Sequence, residues 1–235
     1  MWYCLPTHRV LGGRVERRAR CVELLAESWQ YILDNQDRFG EAVVVHLRLS
    51  IIALLAAIAI FFPIGVLASR SGRAGAALIG VVSAARVVPS LAVLFLLLPF
   101  FGLGERPALI ALTLLAGPAL VINTDAGLRN VDPVALESAR GLGMNAFQVF
   151  TRVQLPLAVP VVIAGIRTAS VEVIGSATLA AFIGAGGLGT FITSGLTLLD
   201  ERLLLVGAIP VTLLTLGAES ALGGLERRLT PPDAA

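Results

Sequence analysis

Residues 49–68 read LSIIALLAAIAIFFPIGVLA, twenty consecutive positions without a charged side chain. A helix rises about 1.5 Å per residue, so a run of this length can cross a bilayer core of roughly 30 Å. The rest of the chain has the same character, because 56% of its 235 residues are hydrophobic and 14% are charged. The sequence therefore predicts an all-α, polytopic integral membrane protein.

Further apolar runs lie on the C-terminal side of this stretch, at residues 74–98, 108–124, 157–183 and 203–222. With residues 49–68 they predict about five transmembrane helices, and the short turns between several of them make neighbouring helices antiparallel. On the N-terminal side, residues 22–40 carry apolar positions at spacings of three and four with acidic residues between them, which predicts an amphipathic helix on the membrane surface. We divide the chain into a poorly defined extension at 1–21, this surface helix, a membrane domain at 41–226 and a polar tail at 227–235.

Arginines near the ends of the spans predict the orientation of the bundle, because short cytoplasmic loops are enriched in basic residues. They follow the first, third and fifth spans: Arg70, Arg73, Arg129, Arg140, Arg152, Arg227 and Arg228. These ends are expected in the cytoplasm of a bacterium, with the N-terminus outside its plasma membrane. The arginines within residues 9–20 conflict with that sidedness, and either an extension from another start codon or a sixth membrane-associated element would resolve the conflict.

The main polar interruption of the membrane domain, residues 132–156 within a loop at 129–156, contains signals for two short helices. Asp132 followed by Pro133 predicts a helix start, and that helix is expected to break at the glycines 141 and 143. Asn145 with Gln148 three residues later predicts a capping box and a second helix, which is expected to stop before Leu155. Two short helices would then meet at a glycine elbow.

Two phenylalanines give this loop an apolar face. Phe147 and Phe150 are three residues apart, so they share a face of the second short helix. Apolar side chains in a loop that lies in water are suited to filling a groove of another protein. The loop is therefore predicted to dock a soluble partner.

The same loop resembles the EAA loop of ABC importer permeases, in which it couples the membrane domain to a cytoplasmic ATPase. The resemblance lies in Glu137-Ser138-Ala139, Gly143 and Leu155-Pro156, with Ser138 in place of the usual alanine. Other motifs resemble the osmoprotectant branch of that family: Val88-Pro89-Ser90-Leu91-Ala92, Asn123-Thr124 with Gly127-Leu128, and AFIGAGGLG at residues 181–189. The resemblance covers about residues 29–226.

This resemblance implies a type I permease architecture and a set of partners. They are cytoplasmic ABC ATPase subunits that bind ATP and magnesium, a second permease subunit of the same or another chain, an extracytoplasmic substrate-binding protein and the lipid membrane. The cargo would be glycine betaine, choline, carnitine or a proline-type zwitterion. Since the chain has no Gly-x-x-x-x-Gly-Lys-Ser/Thr loop, it is expected to hold no cofactor itself.

Two ionisable residues lie deep inside predicted spans. Arg86 is in the second span and Glu172 in the fourth, and charges at such depth must pair or face a watery cavity. They are candidates either for the translocation pathway or for an ion pair between helices. Arg167, nearer the cytoplasmic edge, is an alternative partner in such a pair.

Other candidate sites favour ordinary structural roles. We predict no catalytic residue, since Ser176 lacks a protease motif and His46, like Arg48, is expected at the membrane boundary. Cys4 and Cys21 have no His or further Cys near them at the spacing of metal ligands. A net charge of +2 argues against nucleic-acid binding. The glycines at 184–189 match the residue pattern of a dinucleotide-binding motif, but they follow a predicted membrane helix and not a strand. Tight turns or helix packing are therefore favoured.

Two alternatives to an importer subunit stay open at this point. An ion-gradient-driven secondary transporter would use Arg86 and Glu172 as coupling charges, although five spans show no internal repeat. A membrane assembly factor that does not transport would use the 132–156 loop to bind some other cytoplasmic protein. Co-purification with an ATPase distinguishes these hypotheses.

Overall fold

The computed structural model of the protein describes residues 12–229, with the side chains of residue 20 and of residues 22–229. The predicted extension before residue 12, Cys4, the Cys21 side chain and the tail beyond residue 229 lie outside the described residues. The described helices are, in chain order, α1 (Gly12–Asp34), α2 (Gln36–Arg70), α3 (Gly72–Ala85), α4 (Ser90–Phe101), α5 (Glu105–Arg129), α6 (Pro133–Gly141), α7 (Ala146–Val149), α8 (Leu155–Ala177), α9 (Gly189–Leu198) and α10 (Glu201–Leu229). A π-helical turn lies between α7 and α8, and a 3-10 turn follows α8.

Four helical stretches within residues 12–229 are long and apolar enough to cross a membrane: α2, α5, the run from α7 through α8, and α10. The pair α3 and α4 makes a fifth span only if it is counted as one, because it is bent by 95°. The prediction of an all-α polytopic protein with about five spans is confirmed. The second predicted span, residues 74–98, is divided into α3 and α4.

The bend between α3 and α4 has its cause in Pro89. Proline has no backbone N–H, and its ring disfavours helical geometry at the preceding residue, here Val88. Pro89 itself is extended, with φ of −60° and ψ of 134°. As a result Arg86 lies where two half-length helices meet, and not in the middle of a continuous span.

The centre of the bundle is α5, which packs between α2 and α8. In its most apolar 18 residues 56% are buried, against 22% for α2 and for α10. Small residues allow the close approach, as a Cβ on Gly65 of α2 would lie 2.6 Å from Thr124 Cβ and one on Gly165 of α8 would lie 2.6 Å from Asn123 Cβ. These three helices therefore form a tightly packed core, as small residues allow in membrane bundles.

The N-terminal helix differs in its bounds from the surface helix predicted at residues 22–40. It ends at Asp34, and α2 already begins at Gln36. Residues 36–48 join the first spanning helix because Phe39 and Ala42 pack into a cluster around Phe191. Helix α1 lies against the start of α10, where the Ser28 hydroxyl donates to the Arg202 carbonyl at 3.3 Å.

His46, which was expected at the membrane boundary, is buried between helices beside Gly187 of the glycine-rich segment. Because α2 starts ten residues earlier, His46 is already inside the bundle and has no exposed surface. Its Nε2 lies 3.2 Å from the carbonyl oxygen of Ile174 on α8. Arg48, two residues further along α2, forms an ion pair with Glu105 at the start of α5.

Candidate functional site

Both helix starts predicted for the loop at 132–156 are present. The Asp132 carboxylate accepts the N–H of Val134 at 2.9 Å, with Pro133 as the first residue of α6. The Asn145 side chain accepts the Gln148 N–H and the Gln148 side chain accepts the Asn145 N–H, each at 2.9 Å. This reciprocal capping box fixes the direction in which α7 leaves the elbow.

The elbow between α6 and α7 depends on the conformation of Gly143. Its φ is +82°, in the left-handed region that L side chains rarely adopt. The Gly143 N–H donates to the Arg140 carbonyl at 2.9 Å and the Met144 N–H donates to the Ala139 carbonyl at 3.2 Å, which closes the end of α6. Among the described residues no atom would lie within 4 Å of a Cβ added at this position, so the need for glycine is conformational.

The helix that starts at residue 146 does not stop before Leu155, contrary to the expectation. It runs through a π-helical turn at Phe150–Gln154 into α8, so residues 146–177 form one helix. In an α-helix the ring of Pro156 would crowd the carbonyl four residues earlier. The π turn, in which the Leu155 N–H donates to the Phe150 carbonyl five residues back, widens the backbone there.

The two phenylalanines of the loop lie in different environments. Phe147 is 74% exposed. Phe150 is half-buried against a cluster that includes Leu128 and Ala158, and the guanidinium carbon of Arg70 lies 4.4 Å from the centre of its ring. Phe147 therefore projects from the loop, while Phe150 fastens the loop to the spanning helices.

The motif residues of α6 also differ in exposure. Glu137 and Ser138 are exposed, and Ala139 is 5% exposed. Within residues 12–229 the Glu137 carboxylate has no hydrogen bond or ion pair, so it is available to a partner. Beside α6, a cleft of about 620 Å³ is lined by Val66, Arg70, Arg140, Ala146, Phe147, Val149, Phe150 and Gln154.

A polar cluster joins α2 and α5 near the loop, and the sequence reasoning missed it. Arg129 donates to Asp125 Oδ1 at 2.8 Å and to the Ala68 carbonyl at 2.7 Å. The loop is also tied to α5 directly, since the Gln154 amide donates to the Leu128 carbonyl at 3.1 Å. The spacing of Asp125 and Arg129 is a visible signal for an ion pair, but the contact with Ala68 exists only in the folded bundle.

The structure brings Arg86 and Glu172 to one cavity of about 290 Å³. It lies between α2, the α3–α4 bend, α5 and α8, and its other lining residues are Phe61, Val82, Ala85, Val88, Val93, Leu114, Leu115, Gly117 and Pro118. Both side chains line the cavity, yet in the described part of the chain the two form no direct ion pair. Arg167 pairs elsewhere, at 3.4 Å from Glu219 and 2.9 Å from Glu226 on α10.

The glycine-rich segment at 184–189 lies at the other end of the bundle. Gly184, Gly186 and Gly187 have φ values of 78°, 82° and 78°, and a Cβ on Gly189 would lie 2.1 Å from the Thr178 carbonyl. A helical turn precedes these glycines, and the described residues contain no strand that a dinucleotide site would need. Turns and close packing account for them.

Asp200 forms the last turn at this end, before α10. Its Oδ1 accepts the N–H of Arg202 at 2.9 Å, and the Arg202 guanidinium donates to its Oδ2 at 2.9 Å. The side-chain hydrogen bond from Arg202 lowers the pKa of Asp200. A charged cap thus marks the start of α10.

Comparison with known proteins places this architecture in one family. A family model described as a binding-protein-dependent transport system inner membrane component matches residues 61–231. The carnitine transport permease protein OpuCB of Listeria monocytogenes is 46% identical over 208 residues, which cover 88% of each chain. The choline transport system permease protein OpuBB of Bacillus subtilis is 40% identical over 202 residues, 86% of this chain and 93% of the relative.

Solved structures agree on the fold. The inward-facing MetNI methionine ABC transporter aligns with a TM-score of 0.72 at 21% identity, over 82% of this chain and 96% of that chain. A crystal structure of an amino acid ABC transporter aligns with a TM-score of 0.69 at 20% identity, over 85% and 97% of the two chains. Together with the family match, these findings show that the chain belongs to the binding-protein-dependent transport system inner membrane components, the multi-pass permease subunits of bacterial ABC importers.

Proposed function

We propose that this chain is the membrane subunit of an ATP-driven importer for a small osmoprotectant that carries a quaternary ammonium group. Relatives named for carnitine and for choline transport support this substrate class, since each is at least 40% identical over most of both chains. The osmoprotectant import permease protein OsmW of Salmonella typhimurium, 36% identical over 206 residues, supports it as well. A separate cytoplasmic ATPase binds ATP and magnesium, a second permease subunit completes the pathway, and an extracytoplasmic protein delivers the substrate.

The observation that carries this proposal is the unbroken helix from the loop to the cavity. Phe147 lies in the first turn of the stretch at residues 146–177, and Glu172 lies near its other end. Phe150 and Gln154 hold the intervening turn against α5. Movement of the loop is therefore transmitted to the cavity by one rigid element.

The loop residues have distinct parts in this coupling. The exposed Glu137 carboxylate and the Phe147 ring contact the ATPase, while Ser138, Ala139, Leu155 and Pro156 shape the loop around them. Closure of two ATPase subunits on ATP draws the loops of two permease subunits together. The tilt of α8 then opens the cavity to one side of the membrane or the other.

The test is uptake by the complete transporter in proteoliposomes, with permease, ATPase and binding protein present. We expect ATP-dependent uptake of labelled glycine betaine, carnitine or choline. Gly143→Val should lower this uptake about tenfold, because a β-branched side chain at a positive φ costs roughly 1–3 kcal/mol and would turn the elbow. Gly141→Ala, at a helical position with open space around it, should retain uptake.

Two results would contradict the proposal. Uptake that continues without ATP and collapses with an ion gradient would identify a secondary transporter. If the permease assembled with no ATPase, or if Gly143→Val left ATP-dependent uptake unchanged, the loop would not couple the permease to an ATPase.

A further inference from the structure

We infer that the cavity between Arg86 and Glu172 is a transient substrate site that prefers zwitterions to simple cations. Arg86 would face the carboxylate of the substrate, and Glu172 together with Phe61 would face its quaternary ammonium group. The inference rests on the proposed function for the identity of the substrates. The site itself is argued from the charges, the contacts and the size of the cavity.

Two opposite charges line one cavity whose other walls are mostly apolar. Glu172 is half-buried on α8 and Arg86 is exposed at the α3–α4 bend. Most other lining residues are aliphatic, as in the case of Val82, Val88 and Leu115. Charges within a membrane bundle are costly unless they pair or bind a ligand, so such a cavity is a candidate binding site.

The contact pattern separates this pair from the structural ion pairs of the bundle. Asp125 and Arg129 approach to 2.8 Å, and Arg167 approaches Glu226 to 2.9 Å. Arg86 and Glu172, by contrast, line the same cavity without an ion pair between them. Within residues 12–229 the Arg86 side chain has no hydrogen bond, so its guanidinium donors are available to a carboxylate.

Size and shape fit a small ligand. A volume of about 290 Å³ is just below the range of pockets for drug-sized molecules, roughly 300–1,000 Å³, as suits a smaller ligand. Phe61 adds an aromatic ring on the same cavity, and a quaternary ammonium group is attracted to an aromatic face. Gly117 opposite this ring leaves no room for a Cβ, which would lie 2.7 Å from Phe61 Cζ. The ring therefore packs closely against α5 at the wall of the cavity.

The two charges together favour a zwitterion. Glycine betaine and choline share the trimethylammonium group, but the first ends in a carboxylate and the second in a hydroxyl. Arg86 can form a charge-assisted hydrogen bond with the carboxylate, whereas it repels a ligand that brings only positive charge.

The first experiment compares the initial uptake rates of glycine betaine and choline in the reconstituted complete transporter. Each variant is expressed relative to the wild type for the same substrate, which removes differences in capture by the binding protein. Arg86→Gln should lower glycine betaine uptake about tenfold more than choline uptake, as expected for loss of a charged hydrogen bond. Glu172→Gln should lower both, and Arg86→Lys should restore part of the preference for glycine betaine.

A structural role for Arg86 predicts a different outcome. Arg86→Gln would then reduce both substrates by the same factor, or reduce the amount of permease that co-purifies with the ATPase. Either result, or unchanged rates for both substrates, would overturn the inference.

The second experiment measures binding without transport. In a chain with Cys4→Ser and Cys21→Ser, Ala85→Cys places a thiol on the cavity wall, and Ala84→Cys places one on the exposed surface of α3 outside the lining. Millimolar glycine betaine should slow modification of the first thiol by a maleimide and leave the second unchanged, with weaker protection by choline. Arg86→Gln should abolish the protection.

The uptake and thiol-protection experiments distinguish a failure of the inference from a failure of the proposed function. A wild-type transporter that takes up none of the osmoprotectants contradicts the proposed function, while protection of Ala85→Cys by glycine betaine still supports the site. Active uptake without protection, and without a substrate-specific effect of Arg86→Gln, keeps the function and overturns the site.

Discussion

Single glycines decide where the backbones of this bundle can meet. Gly75 on α3 faces the end of α2, and a Cβ there would lie 2.0 Å from the Ala68 carbonyl and 2.9 Å from Arg129 Nη2. Its φ is not positive, so the restriction is steric, in contrast to the conformational one at Gly143. Close backbone contact at this position holds α3 against the same carbonyl that Arg129 binds.

Gly75→Ala should therefore destabilise the permease. The backbone of Ala68 cannot move aside as a flexible side chain could, so α3 has to shift and the Arg129 contact is disturbed. We expect a fall in melting temperature of several degrees, in line with a core overpacking cost of roughly 1–3 kcal/mol. The measurement is thermal unfolding in detergent, followed by far-UV circular dichroism.

Gly80→Ala is the matched control, because it lies on the same helix with nothing within 4 Å of its added Cβ. Alanine favours a helix over glycine, so this variant should melt at the wild-type temperature or slightly above it. Equal melting temperatures for both variants would show that α3 does not pack against α2 as described.

At the scale of elements, the helix at residues 146–177 has a docking part and an anchoring part. Phe147 projects outward from its first turn, and Phe150 turns inward beneath Arg70. The division follows from the neighbours of each ring, because Phe150 packs against the cluster around Leu128 and Ala158 and Phe147 does not. The two phenylalanines can thus be tested against each other.

Phe150→Ala should lower the stability of the isolated permease by roughly 1–3 kcal/mol, because it removes a half-buried ring and its contact with Arg70. Phe147→Ala should leave that stability unchanged and weaken ATPase association about tenfold, as expected for an exposed aromatic anchor. Melting temperature and quantitative co-purification are the two readouts. If both variants lowered only the melting temperature, or both weakened only ATPase association, the division between anchoring and docking would be wrong.

Local signals explain which elements the sequence could predict. The caps at Asp132 and Asn145 and the elbow at Gly143 were foreseen because each depends on neighbours within a few residues. The continuation of the helix through Pro156 was not, since it depends on a π turn stabilised by contacts with α5. Likewise Pro89 was visible, but a proline alone does not specify the size of the bend, 95°.

At the scale of the whole molecule, the polar features lie at two ends. The loop, Arg70, Arg129 and the end of α10 occupy one end. The glycine-rich segment, Asp200 and the contact between α1 and the start of α10 occupy the other, where Arg20 lies 3.7 Å from Glu201. Helix α1 therefore belongs to the end opposite the loop.

Thiol labelling tests this arrangement in cells. In a background with Cys4→Ser and Cys21→Ser, we expect Leu199→Cys and Glu23→Cys to react with a membrane-impermeant maleimide added outside, since both residues are exposed. Arg73→Cys should react only in inverted vesicles. Reaction of Glu23→Cys from the cytoplasmic side would place α1 with the loop and satisfy the positive-inside rule for the N-terminal arginines.

Composition and periodicity predicted the class and number of the spans because membrane thickness limits helix length directly. Deep charges were equally conspicuous, and Arg86 and Glu172 were selected for their apolar surroundings alone. Their common cavity could not be foreseen, as it depends on the bend before Pro89 and on the packing of α5. The burial of His46 could not be foreseen, because the boundary between α1 and α2 falls at Asn35, inside an apparently continuous pattern.

The unbroken helix at residues 146–177 also has a thermodynamic consequence. At about 1.5 Å per residue it carries Phe147 and Glu172 roughly 40 Å apart on one body. If docking at one end changes the affinity for a ligand at the other, the ligand must change the affinity for docking by the same factor. An occupied cavity would then alter how tightly the permease binds its ATPase. Substrate binding and nucleotide-driven docking would be coupled by a single free energy.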